Sequence, residues 1–200
     1  DDTNNRRLKM ANENQAGEEI FQIENGKLIK FLRDDLTSVE IPEGITEIKK
    51  NAFSECKNLE SVKFPESLEI IEKGAFEDCS ALKEIKLPKN VKTINYWAFS
   101  RCYSLEVIEL NDGLEKIEEV AFAGTKIKSI RIPDSVKIIE HDAFESCNNL
   151  EKVILSKNIS TIPIRCFHHC KSLKSIEIPE SVTTIEGRAF SLANLTSIKI

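Results

Sequence analysis

Apolar residues return along this chain at a spacing that no single helix or strand has. Phe53, Phe76, Phe99, Phe122, Phe144, Phe167 and Phe190 follow one another in steps of 23, 23, 23, 22, 23 and 23 residues. Ala precedes the Phe in every copy except one, where Cys166 stands. Three residues after each Phe come Cys56, Cys79, Cys102, Thr125, Cys147, Cys170 and Ala193. A second series runs Leu36, Leu59, Leu82, Leu105, Ile127, Leu150, Leu173 and Leu195. The unit is L-x-x-(I/V)-x-(L/I/F)-P-x-x-(V/I/L)-x-x-I-x-x-x-A-F-x-x-C-x-x. Asn111 and Ser156 replace its Pro, and one residue is missing just before Ile127 and Leu195.

Self-similarity at this period predicts a solenoid, in which each coil buries its apolar residues only by stacking on the next. The period-two alternation of Leu59, Val62 and Phe64 with Ser61 and Lys63 predicts a strand with the first set inward. Pro lacks the N–H that a ladder needs, so the strand ends there. The next apolar pair, such as Leu68 and Ile71, is three apart and fits a short extended or turn segment. Ala and Phe then turn inward, and the Phe rings are expected to form a spine along the axis. The Cys position asks for a small side chain that tolerates burial. Residues 1–18 are polar and patternless and read as a flexible leader or expression remnant. Residues 19–35 carry Asn25-Gly26 between two apolar stretches, a hairpin signal, and form the expected N-terminal cap. The array fills 36–200. It ends on a strand with no cap, so it is expected to continue past Ile200.

The repeat resembles the leucine-rich repeat superfamily, and specifically the BspA-like branch found in bacterial and protozoan surface proteins. The residues that carry the resemblance are I-P-x-S-V-x-x-I-x-x-x-A-F-x-x-C-x-x-L at 132–150 and its start again at 178–190. The likeness covers 36–200. It implies an α/β, β-dominated fold: a right-handed leucine-rich-repeat solenoid of about seven coils with the hairpin as cap. It also implies a cell-surface or extracellular location and a role in adhesion or another surface interaction.

Composition narrows the chemistry. Hydrophobic residues make up 40% and charged residues 30%, which suits a globular chain. The net charge of −5 argues against nucleic acid as the partner. No apolar run approaches a membrane span, so membrane insertion is not expected. Six Cys are present; five sit in the repeated inward column and Cys166 takes an Ala slot, which favours buried thiols over a disulfide ladder. The stretch Cys166–Cys170, with His168 and His169 between, has the residue types of a zinc site. Its register puts the Cys inward and the His in polar outward columns, so no metal or other cofactor is expected. With three His and no legible pairing of nucleophile and base, no catalytic site is expected either.

Two surfaces remain as binding candidates. The outward face of the long strands includes Ser61, Lys63, Glu84, Lys86, Val107, Glu109, Ser129, Arg131, Lys152 and Ile154. It is either a solvated face of neighbouring opposite charges or a concave docking surface. It carries no aromatic, which argues against base or sugar stacking there. The second candidate is Trp97 with Tyr96, Tyr103 and Val120. Tyr96 and Trp97 occupy slots that hold Lys50 and Asn51, or Lys73 and Gly74, in the preceding ribs, so they are expected at exposed loop positions, where aromatics favour interfaces. The expected protein is a monomeric, non-catalytic recognition module for a protein ligand, including a host protein. The alternatives are a glycan-binding module or a passive spacer in a larger surface protein.

Overall fold

A computed structural model describes residues 19–200; the leader expected at 1–18 lies outside them. Parallel strands from alternating positions of each coil stack in two series whose ladders are interrupted toward the C-terminal ribs: the long series pairs as sheets of four, two and two strands, and the short series as a sheet of seven that includes the antiparallel N-terminal hairpin and a sheet of two. Odd-numbered strands of three residues form the long series: β3 (Ser38–Glu40), β5 (Ser61–Lys63), β7 (Glu84–Lys86), β9 (Val107–Glu109), β11 (Ser129–Arg131), β13 (Lys152–Ile154), β15 (Ser175–Glu177) and β17 (Ser197–Lys199). Even-numbered strands of two residues form the short series: β4 (Glu47–Ile48), β6 (Ile70–Ile71), β8 (Thr93–Ile94), β10 (Lys116–Ile117), β12 (Ile138–Ile139), β14 (Thr161–Ile162) and β16 (Thr184–Ile185). The β-dominated solenoid expected from the repeat is therefore what the chain forms. Its return segments are turns, and no helix occurs among the described residues.

Register follows the repeat. Ser38 pairs with Ser61, Glu84 with Val107, and Ser129 with Lys152 in the long series. The segment read as extended or turn resolves into both: a turn after the Pro, then the short strand, with Ile48 paired to Ile71 and Ile117 to Ile139. Between the sheets lies one core. Phe53, Phe76, Phe99, Phe122, Phe144 and Phe167 are all fully buried. From Phe53 to Phe190 successive rings stack at 4.6–5.6 Å with planes within 15°, close to the offset stacking that ring quadrupoles favour.

The Ala-Phe turn repeats because of its backbone. Asn51, Gly74, Trp97, Val120, Asp142, Arg165 and Arg188 all have φ of 52–63°. So do Glu55, Asp78, Arg101, Ser146, His169 and Leu192, at 57–63°. These left-handed residues bracket each Ala-Phe and turn alternate N–H groups toward the next rib. Trp97, Phe99 and Arg101 thus donate to the carbonyls of Glu119, Ala121 and Ala123 at 2.8–3.2 Å. The Cys column adds a bond that the sequence did not announce. Cys79, Cys102, Cys147 and Cys170 each direct S–H at the carbonyl of the Phe one rib back, at 3.0–3.3 Å. A small, weakly donating side chain meets both demands of that position.

The departures from the repeat are compensated locally. Asn111, in a Pro slot, donates to the carbonyls of Pro88 and Val91 at 2.9 Å. Ser156, in another, donates to Val136 at 2.6 Å.

The cap is the expected hairpin. β1 (Phe21–Glu24) runs antiparallel to β2 (Lys27–Phe31), and Asn25 and Gly26 take φ of 51° and 73°, as a type I′ turn requires. It joins the short series, with Lys27 opposite Glu47 and Leu28 opposite Ile48. Phe31 continues the spine at 5.0 Å from Phe53, and Phe21 closes it edge-on at 6.1 Å. Phe64 meets Phe76 edge-on at 5.6 Å, so all ten Phe of the chain belong to one network.

Candidate functional site

Alternation along the long strands leaves every second side chain outside the core, and on β3, β5, β7 and β9 those side chains line a groove of about 850 Å³. Ser61, Lys63, Glu84, Lys86, Val107 and Glu109 all contribute to it. Its charges are ordered. Lys63 pairs with Glu40 at 2.6 Å and Lys86 with Glu109 at 3.0 Å. Two ammonium groups on adjacent strands therefore lie between two carboxylates. The four side chains are 60–82% exposed, so the pairs contribute little stability and remain open to a ligand. Val107 is 50% exposed.

One wall of the groove was not read from the sequence. Phe64, Leu110, Pro88, Lys89 and Asn111, at the strand ends and on the turns that follow, form it. Phe64 and Leu110 are half-buried against the core. The clue was available, since these residues directly follow the outward columns. Ser129, Arg131, Lys152 and Ile154 lie on β11 and β13, beyond the groove. There Arg131 pairs with Asp112 at 3.0 Å and Ile154 is exposed.

The aromatic candidates divide. Tyr96 and Trp97 stack at 4.4 Å, and Lys73 of the preceding rib places Nζ 4.4 Å from the Tyr96 ring and 5.1 Å from that of Trp97. Both residues are half-buried rather than exposed as expected, because each covers a face of the other. Val120 follows Trp97 at the same left-handed corner one rib on. Tyr103 stands at the other end of the turn, exposed, with a ring carbon 3.5 Å from where a side chain on Gly124 would begin; among the described residues it makes no ring contact with the pair. The Tyr96 N–H donates to the Glu118 carboxylate at 3.0 Å. Partial burial, then the nearby carboxylates of Glu119 and Glu77, push the Tyr96 phenol up. A hollow of about 600 Å³ on the short-sheet face lies beside this corner, between Ile70, Thr93, Asn95 and Glu118.

The thiol and imidazole candidates separate too. All six cysteines are free and buried. Burial pushes Cys147 up to about 11 and also raises Cys102, Cys166 and Cys170, which keeps them protonated and unreactive. Cys56, nearest the cap, is the exception, drawn down by hydrogen bonding with Cys79. His168 Nδ1 lies 3.2 Å from Glu145, and the His168 and His169 rings meet edge-on. Both imidazoles lie outside the core that holds Cys166 and Cys170. Among the described residues no group of three or more His, Cys, Asp or Glu is placed to hold a metal ion. Among the same described residues no helix is long and apolar enough to cross a membrane.

Comparison with known proteins gives a consistent result. The BspA type leucine rich repeat region matches in six copies, over residues 29–151 and 137–200. A leucine-rich repeat protein from Bacteroides ovatus is 32% identical with a TM-score of 0.80, over 90% of this chain and 50% of that one. The chain thus spans half the length of that protein. The T. pallidum leucine rich repeat protein is 27% identical with a TM-score of 0.79, over 86% of each chain. A leucine-rich repeat protein from Eubacterium ventriosum, 24% identical with a TM-score of 0.64 over 87% of this chain and 48% of that one, shares the fold. No curated protein matches the chain.

Proposed function

The chain belongs to the BspA-type leucine-rich repeat family, and from that premise we propose that it is a non-catalytic recognition module that binds a protein ligand across the groove of its long sheet, on the outside of a cell. The observation that carries this reading is the division of labour in each long strand. The central residue, such as Val62, Ile85 or Ile108, is buried. The two beside it face the groove and take no part in the core. Ligand contacts on such a face can change while the fold stays fixed, which is what a family of binding surfaces on one scaffold requires. The paired lysines at the groove centre suit a ligand that presents a carboxylate there, while the half-exposed Val107 and the Phe64 and Leu110 wall offer apolar contact. The family's resemblance to surface proteins supports the extracellular setting and an adhesive role. A glycan-binding module is the second reading, favoured by the flat Tyr96–Trp97 pair.

The test is to present the immobilised protein to arrays of secreted and surface proteins and of glycans, with Val107→Arg as the control. A protein ligand that loses about tenfold in affinity to Val107→Arg supports the groove. Retention of glycans alone, or a protein ligand indifferent to Val107→Arg and to Lys63→Glu, overturns it.

A further inference from the structure

The corner that carries the only Trp of the chain is arranged around a cation. Lys73, Tyr96 and Glu119 hold the same repeat position in three successive ribs, so they lie side by side along the ridge. Lys73 sets its ammonium over both rings at 4.4 and 5.1 Å. On the other side Glu119 is exposed and makes no ion pair among the described residues, while its carbonyl accepts the Trp97 N–H at 3.2 Å. The neighbouring carboxylates are in use: Glu118 is held by Lys116 at 3.1 Å and Glu77 by Arg101 at 2.8 Å. Among the described residues Glu119, whose charge Arg165 feels only through space while its guanidinium is bound to Asp142, is thus the carboxylate beside the rings left for an incoming charge.

We infer that the Tyr96–Trp97 pair with Glu119 is a seat for an arginine side chain of a partner protein, occupied in the free protein by Lys73. Three features set the chemistry. Stacked indole and phenol rings attract a cation through their quadrupoles. A guanidinium is flat, weakly hydrated and able to lie on an aromatic face while donating to a carboxylate, which an ammonium does less well. Lys73 is exposed on a flexible stem, so the occupant can be displaced without disturbing the core. The acidic balance of the whole chain, −5, favours the approach of a basic segment. The backbone at this corner does not explain the residue choice, for the preceding ribs fill the same left-handed position with Asn51 and Gly74. The seat is on the Ala-Phe corner and not on the long-sheet groove, so it holds or fails independently of the groove.

Trp97 is the single tryptophan, and its fluorescence reads the seat directly. The 200-residue protein is titrated with an arginine-rich peptide and with lysine-rich and glutamate-rich peptides of equal length. Saturable change with the arginine peptide is expected. Lys73→Ala, which vacates the seat, tightens it about threefold, the worth of an exposed cation–π contact. Tyr96→Leu, which keeps every charge, weakens it about tenfold, and Glu119→Gln weakens it in the same direction. Binding unchanged by Tyr96→Leu means diffuse attraction to an acidic protein and overturns the seat. So does a Lys73→Ala variant that binds more weakly, or a lysine peptide that binds as tightly as the arginine one. Should Tyr96→Leu fail to fold, Lys73→Ala decides, since removing an exposed ammonium leaves the core intact.

Discussion

Phe53 and Phe190 hold the same repeat position at opposite ends of the described array, and their surroundings differ. Phe53 is fully buried between Phe31 at 5.0 Å and Phe76 at 4.6 Å, with Phe21 edge-on. Phe190 stacks on one side only, 5.6 Å from Phe167, and is half-buried. The same holds for aliphatic columns. Ile48, Ile71, Ile94 and Ile117 are fully buried, whereas Ile185 in the same column is 48% exposed. A rib's own sequence therefore does not bury it; the neighbour does. At the N-terminal end the cap acts as that neighbour, by adding two strands to the short sheet and two rings to the spine.

The largest effect that sharpens this comparison is on the rings. Phe53→Ala should cost about 3–5 kcal/mol in urea denaturation, the range for core aromatics, and Phe190→Ala clearly less. Equal losses would mean that the cap does not complete the spine. The thiols give the next test. End ribs open at lower free energy than interior ones, so Cys170 should be alkylated in native protein about tenfold faster than Cys102. Mass-spectrometric labelling that finds Cys102 before Cys170 would mean that the end rib is not the one that opens first.

Acid provides a third probe, aimed at the cap junction. Lys27 on the cap contacts Glu47 at 2.6 Å, Lys49 contacts it at 2.9 Å, and Lys49 also pairs with Glu72. Hydrogen bonds from Lys27 and then Lys49 hold the Glu47 carboxyl at about 2, below its ordinary 4.5. A carboxyl depressed on folding adds stability that is complete above pH 4.5 and lost as pH falls toward 2. Protection of the β2 and β4 amides from hydrogen exchange should fall in that window by on the order of 1 kcal/mol, after allowance for solvent screening. In Glu47→Gln that pH dependence should vanish; its persistence would place the junction elsewhere.

The smallest effect concerns backbone strain. The first two ribs put Asn51 and Gly74 at the left-handed corner, and Val120 later carries φ of 60° there, costly for a β-branched residue. Val120→Asn should raise the melting midpoint, by about 0.5–1 kcal/mol in stability. A loss instead would show that packing of Val120 outweighs its strain.

Much of this architecture was legible because a solenoid repeats its environment. Each inward column of the sequence, from Leu36 to Leu195 and from Phe53 to Phe190, maps onto one line of the core. The Asn25-Gly26 turn was equally legible, since positive φ at two adjacent residues is a local demand. The candidate sites were legible only as columns. Ser61, Lys63 and Val107 were correctly placed outward, but the groove needs the Phe64 and Leu110 wall as well. Tyr96 and Trp97 were expected at exposed loop positions, and they stand on a turn half-covered by each other and by Lys73.

The period itself determined which residues are neighbours along the axis, because residues one repeat apart must stack at the spacing of adjacent strands. It determined the fold, the core columns and the presence of a cap. Only the tertiary structure decided that the cap joins the short sheet and lends Phe21 and Phe31 to the spine, that the cysteines bond the Phe carbonyls one rib back, and that Lys73 settles over Tyr96 and Trp97. Each of these depends on side-chain direction at a bend of the coil, which is set by left-handed backbone positions that most residue types here do not announce. Spacing fixes who is adjacent, and the bends fix which way they face.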